Sequence, residues 1–211
     1  MKITKLGHCC MLIEEGGKRI LTDPGNYSIE QNESKNIDLV LITHEHGDHL
    51  HIESLKMVLQ NNPGAQVITN TAVGKILDGE GIAYTTVEDG QSHDFQGVIL
   101  EAFGSEHAVI YREIPNVQNT GYFIANRLFY PGDAFTIPGK PVDILALPVA
   151  GPWVKTSEVI EYGRAVKPTS CFPVHDGFCL GITPFHNVAR KFIEPTGIKF
   201  IVLELGKEYE L

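Results

Sequence analysis

The run Ile37-Asp38-Leu39-Val40-Leu41-Ile42 leads directly into Thr43-His44-Glu45-His46-Gly47-Asp48-His49, and this junction constrains the fold more than any other stretch. The first part is short, aliphatic and carries one charge, so it reads as a buried strand. The second part gathers the imidazoles of His44, His46 and His49 and the carboxylate of Asp48. His44 and His46 are two apart and project to one side of an extended chain. Gly47 lets the chain turn sharply before Asp48 and His49. Imidazole nitrogen and carboxylate oxygen are the donors that Zn²⁺ accepts. The competing reading is a polar strand-to-helix loop with Asp48 as a cap and solvated histidines. Four potential ligands at this density favour a metal site.

The 211 residues suit one domain, 1–211, or two halves sharing a core. No apolar stretch is long enough to span a bilayer. The start, Met1-Lys2-Ile3-Thr4-Lys5-Leu6, lacks the hydrophobic core of a signal peptide, so a cytoplasmic location and no membrane partner are expected. Cys9, Cys10, Cys171 and Cys179 show no framework spacing and read as reduced, mostly buried thiols. Net charge is −9, from 26 acids and 17 bases without any basic cluster. Capture of nucleic acid therefore lacks its usual electrostatic footprint, and a small-molecule substrate is expected.

Periodicity predicts strands at 1–6, 9–15 and 18–23, with Glu15-Gly16-Gly17-Lys18 as a hairpin turn. Helical spacing from Ile52 to Leu59 stops near Asn61-Asn62-Pro63-Gly64. Strands follow at 65–69, 81–87 and 97–103, with a short helix at 71–78. The second half predicts strands near 119–125, 127–131, 142–147, 170–174 and 198–204, and helices at about 155–166 and 185–194. This order fits an α/β (α+β) structure of two packed sheets covered by outer helices.

Three further potential ligands follow strand-like runs: His107 after Val98–Phe103, Asp133 after Leu128–Tyr130, and His175 after Cys171–Val174. Loops at strand ends are where a rigid sheet presents side chains convergently. The series His44-x-His46-x-Asp48-His49, His107, Gly132-Asp133 and His175, with the early Asp23, resembles the metallo-β-lactamase superfamily. The opening Leu6-Gly7-His8-Cys9-Cys10 before Asp23-Pro24 resembles its subgroup of metal-dependent hydrolases that includes the ascorbate-6-phosphate lactonase. The resemblance implies a four-layer αβ/βα sandwich of two mixed sheets flanked by helices. It implies two divalent ions, Zn²⁺ first and Mn²⁺ or Fe²⁺ as alternatives. His44, His46 and His107 would hold one; Asp48, His49 and His175 the other; Asp133 would bridge them, with no thiolate in either set.

The implied reaction is hydrolysis of an ester or lactone in a small, anionic substrate by hydroxide held between two ions. Asp48, Asp133 and His8 are the catalytic candidates. His8 either donates at the rim of the site or is a buried histidine bonded to backbone. Asp23 either orients a ligand histidine or starts an Asp-Pro turn. Arg112 either binds an anionic group or faces solvent, and Trp153 either lines the pocket or packs on the sheet. His51 is expected outside the site, in the first turn of its helix, and His93 in a turn. His186 falls at a helix start. Two alternatives stay open: a small-molecule phosphodiesterase or nuclease of the same superfamily, and a non-hydrolytic or di-iron protein. A homo-oligomer would be unsurprising.

Overall fold

Alternating apolar residues at the start of the chain build an antiparallel meander. In the computed structural model, which describes residues 1–211, β1 (Lys2–Lys5), β2 (Met11–Glu15) and β3 (Lys18–Thr22) pair in sequence. Gly16 and Gly17 close the predicted hairpin at φ 58° and 74°, where a side chain would be strained. β4 (Leu39–Leu41), β5 (Gln66–Thr69) and β6 (Thr85–Thr86) extend this sheet in parallel. α1 (Ile52–Asn61) and α2 (Thr71–Gly79) make the crossovers, because parallel neighbours cannot be joined by a tight turn.

The second sheet runs in spatial order through β7 (Ser92–Phe95), β8 (Val98–Phe103), β9 (Gly121–Ile124), β10 (Leu128–Tyr130), β11 (Ile144–Pro148), β12 (Ser170–Val174) and β13 (Lys199–Phe200). α3 (Thr156–Val166) and α4 (Thr183–Ile193) cover its outer face. The last strand, β14 (Glu208–Glu210), returns to pair with β1.

Period-2 patterning decides what each sheet buries. Leu39 and Leu41 join Ile3, Ile13, Leu100, Tyr122 and Phe172 between the sheets, while Val40 turns outward to Leu55, Val58 and Leu77 of the helices. Across the molecule Leu145 and Leu147 face Val159 and Ile193 of α3 and α4. The result is the four-layer sandwich of two mixed sheets that the sequence implied.

Some boundaries differ. His93 lies within β7 rather than in a turn: Phe95, 2 % exposed, anchors that edge strand, and the turn falls at Gln96-Gly97. The strand expected at 81–87 shortens to two residues and that at 198–204 to Lys199–Phe200. β14 carries only one partly buried residue, Tyr209, and leaves no periodic signal.

Strand direction positions the site. β1, β3 and β4 run one way in their sheet, and β8, β10, β11 and β12 share one direction in theirs. The segments that follow their C-terminal ends carry His8, Asp23, His44 to His49, His107, Asp133, Trp153 and His175.

Candidate metal centre

All seven expected ligands meet at one edge of the sandwich. His44, His46, His107 and Asp133 form one cluster, and His8, Asp48, His49 and His175 another, with ligand atoms inside each lying within 4.8 Å of one another. Asp133 sits between them: its Oδ2 is 3.3 Å from His107 Nε2 and 2.7 Å from His175 Nε2, and its Oδ1 is 3.1 Å from His49 Nε2. Asp48 Oδ2 lies 3.4 Å from His175 Nε2. Despite these approaches, His49 Nε2, His107 Nε2, His175 Nε2 and Asp133 Oδ1 are buried without a hydrogen-bond partner. Buried polar atoms are normally satisfied, and four converging unpaired atoms of this chemistry fit a divalent cation.

Backbone geometry explains why the donors converge. Asp133 follows Gly132, whose φ of 63° and the 2.3 Å that would separate a Cβ from Asn119 Oδ1 exclude a side chain. Asn119 accepts the Asp133 N–H at 3.0 Å and donates to the Pro131 carbonyl at 2.9 Å. His175 adopts φ 60°, an angle uncommon outside glycine, and its Nδ1 lies 2.7 Å from the Ala150 carbonyl. Asp23 resolves to the orienting role. Its Oδ2 accepts His49 Nδ1 and Thr43 Oγ1, both at 2.7 Å, together with the Tyr130 hydroxyl, and its Oδ1 accepts the Thr43 N–H at 2.8 Å.

Residues 2–175 match the β-lactamase superfamily domain. The chain is 37 % identical over 180 residues to protein Rv0786c of Mycobacterium tuberculosis, spanning 83 % of this chain and 84 % of that one. It is 30 % identical to UPF0173 protein PYRAB01190 of Pyrococcus abyssi, over 84 % of each. This chain belongs to the metallo-β-lactamase superfamily and to its UPF0173 family of metal-dependent hydrolases. The fold is shared with Igni18, a metallo hydrolase of Ignicoccus hospitalis, at a TM-score of 0.79 and 21 % identity over 100 % of this chain and 98 % of that one. It is also shared with CmlA, a diiron β-hydroxylase of Streptomyces venezuelae, at 0.78 and 14 % over 100 % of this chain and 54 % of that one.

The electrostatics of this UPF0173 centre follow from burial opposed by close charges. In the metal-free protein burial pushes His175 down, but Asp133 and Asp48 outweigh it and the imidazole rises to about 10. His49 is raised the same way, chiefly by Asp133. Burial would lift Asp133, yet His49 and His175 hold it well below the carboxylate range. Asp48 is likewise held low against burial, by the close His175 imidazole and the contact with His8. His44 and His46 are lowered, burial being the main cause. His8 falls to about 4 through burial, against the pull of Asp48, and is neutral at pH 7.

The remaining candidates occupy places the sequence left open. A cleft of about 360 Å³ lies over the candidate ligands, walled by Tyr27, Ile110, Pro152, Trp153 and Phe178. An adjoining hollow of about 570 Å³ is lined by residues 109–117 with His46 and His107. Arg112 lines only the hollow; its side chain is 80 % exposed and lies 3.5 Å from Glu113. Trp153 lines the cleft and also donates from Nε1 to Asp133 Oδ2 at 3.1 Å. His8 does not reach the rim: its ring is 1 % exposed and absent from the cleft wall. His51 sits at the start of α1, 3.0 Å from Ser54 Oγ, outside both clusters.

Cys9 places sulfur beneath the centre, within 4.8 Å of His49 and Asp133, although no thiol enters either four-residue cluster. All four cysteines are free. The supporting roles of Asn119 and Tyr130 had no signal in the sequence. Lys5 had one: it shares the inward face of β1 with Ile3 and is 4 % exposed, so a strict alternation reading flags a buried lysine in need of a partner.

Proposed function

We propose that this chain hydrolyses a carboxylic ester or lactone in a small molecule, using two divalent ions held by the seven converging side chains. The observation that carries the reading is the set of unpaired buried atoms of His49, His107, His175 and Asp133, the last three of these residues lining one cleft and His49 lying buried behind them. His44, His46 and His107 would hold one ion and Asp48, His49 and His175 the other, with Asp133 placed between the two sets. Ions of this kind acidify water toward neutral pH and polarise a carbonyl oxygen.

The chain's own residues supply position and shape. Trp153 fixes the Asp133 carboxylate through its indole N–H. Tyr27, Ile110 and Phe178 offer an apolar wall for the part of the substrate that does not react, and limit water beside it. Neither lysine nor arginine lines the cleft, so its wall suits an uncharged carbonyl group. Arg112 in the adjoining hollow provides a donor fork for an anionic tail. No Gly-x-Ser-x-Gly elbow is present to supply a serine nucleophile, and bound divalent ions would supply an activated water in its place.

Because one fold carries hydrolases and a diiron hydroxylase, the chemistry must be tested at the site. Purified protein should hold about two equivalents of zinc or manganese and turn over members of a lactone and aryl-ester panel. Faster turnover of bis(p-nitrophenyl) phosphate would move the assignment to a phosphodiesterase. Strong visible absorbance with bound iron would move it to redox chemistry.

A further inference from the structure

Hydrogen bonds at the far side of each imidazole sort the histidines into two kinds. His49 Nδ1 lies 2.7 Å from Asp23 Oδ2, His175 Nδ1 2.7 Å from the Ala150 carbonyl, and His107 Nδ1 2.5 Å from the Ala108 carbonyl. His44 Nδ1 lies 3.0 Å from Thr43 Oγ1, whose own proton goes to Asp23. Each acceptor keeps a proton on Nδ1 and so makes Nε2 the nitrogen that would face a metal, once any proton it carries is displaced. His46 is turned the other way, with Nδ1 3.2 Å from His44 Nε2.

His8 breaks the pattern. Its Nδ1 accepts the Gly177 backbone N–H at 3.0 Å, so that nitrogen carries no proton. The proton of the neutral ring is therefore on Nε2, 3.1 Å from Asp48 Oδ2. We infer that His8, although clustered with Asp48, His49 and His175, is neither a metal ligand nor a proton donor to substrate but a positioning residue, its Nε2–H holding the Asp48 carboxylate in place. The inference rests on the metal centre proposed above.

What aims the Gly177 N–H is a clamp outside the centre. Asp176 is buried, and its carboxylate accepts Lys5 Nζ at 2.5 Å and pairs with His186 Nε2 at 2.9 Å. Lys5 Nζ also donates to the Pro173 carbonyl at 2.9 Å, and His175 N–H to the His8 carbonyl at 3.3 Å. Residue 177 must be glycine for this approach, since a Cβ there would lie 2.9 Å from both His8 Cβ and His8 N. His186 thus acts at one remove: it fixes Asp176, which fixes the turn, which fixes the tautomer of His8.

Nitrogen NMR of protein with ¹⁵N-labelled histidine, metal-free and loaded with ¹¹³Cd²⁺, tests this directly. Nε2 of His44, His49, His107 and His175 and Nδ1 of His46 should couple to cadmium. His8 should show a protonated Nε2 in both states and no coupling. Cadmium coupling at His8, or a proton on its Nδ1, overturns the inference. Absence of coupling at every histidine overturns the metal centre instead, while the metal-free spectrum still decides the tautomer.

Two variants test positioning by metal titration rather than turnover. His8→Gln keeps a donor for Asp48 and an acceptor for Gly177, and should hold the second ion within about threefold of wild type. His8→Leu should bind it about 10–100-fold more weakly, the usual effect of losing a group that orients a ligand. Gly177→Ala, which leaves the imidazole but displaces it, should match His8→Leu. Equal affinities for wild type and His8→Leu, or full binding by Gly177→Ala, refute the role.

Discussion

Removing the Asp23 carboxylate should damage stability and metal binding together, because one buried group serves both. Asp23 is 0 % exposed and accepts from His49 Nδ1, Thr43 N–H, Thr43 Oγ1 and the Tyr130 hydroxyl. In Asp23→Ala these donors lose their partner where no water reaches them. A hydrogen bond to a charged group contributes about 1.5–3 kcal/mol, and stranded donors add desolvation cost. Partial relaxation of the pocket brings the expected loss to about 3–5 kcal/mol, large beside the ~5–15 kcal/mol of a typical domain. The metal effect has two routes: His49 loses its partner directly, and His44 loses Thr43, whose hydroxyl is no longer anchored. Orienting groups of this kind contribute about 10–100-fold to metal affinity. Asp23→Asn separates the effects, since its amide can accept from His49 but then turns a donor toward a Thr43 donor. Urea unfolding of the metal-free variants gives the stability term, and competition with a zinc indicator gives the affinity term. A loss below about 1 kcal/mol with unchanged zinc affinity in Asp23→Ala would refute the reasoning.

Further outcomes follow from other contacts. Trp153→Phe keeps the aromatic wall but deletes the indole donor to Asp133 Oδ2, and should lower kcat/KM about tenfold, or roughly 1.4 kcal/mol, with little change in melting temperature; an unchanged kcat/KM denies the bond a role. Zinc affinity should rise with pH across the neutral range, because the metal displaces a proton from His175, which is held up to about 10 in the metal-free protein. Each displaced proton is worth about tenfold per pH unit, and calorimetry in buffers of different ionisation enthalpy should record proton release; a flat profile contradicts it. Lys5→Met leaves Asp176 with His186 alone at a site where the Lys5 and Asp176 side chains are 5 % and 9 % exposed, and should cost about 3–5 kcal/mol in urea unfolding; a neutral effect would show that the pair is dispensable. Cobalt-loaded protein should lack a thiolate-to-metal band despite the nearness of Cys9, and such a band, lost in Cys9→Ala, would put sulfur in the centre.

How much was legible in the chain differs sharply between ligands and the groups that hold them. His44, His46, Asp48 and His49 are local in sequence and directly follow an apolar run, so residue type and spacing reveal both strand and chemistry. His107, Asp133 and His175 are each modest signals, but they share one relation, a strand ending just before them, and the sheet makes that relation spatial. The layering was likewise legible, because period-2 burial in strands and 3.6-residue burial in helices are written in side-chain polarity. Proton placement was not. His8 contains the same ring as His49, and the two differ only in whether a donor or an acceptor meets Nδ1. For His8 that donor is a backbone N–H 169 residues away, presented by a turn that Lys5 grips from 171 residues away. Arg112 turned outward and Trp153 turned onto Asp133 for the same kind of reason. Ligand identity is a property of single residues, whereas tautomer, orientation and burial belong to contacts that exist only once both sheets have closed around the site.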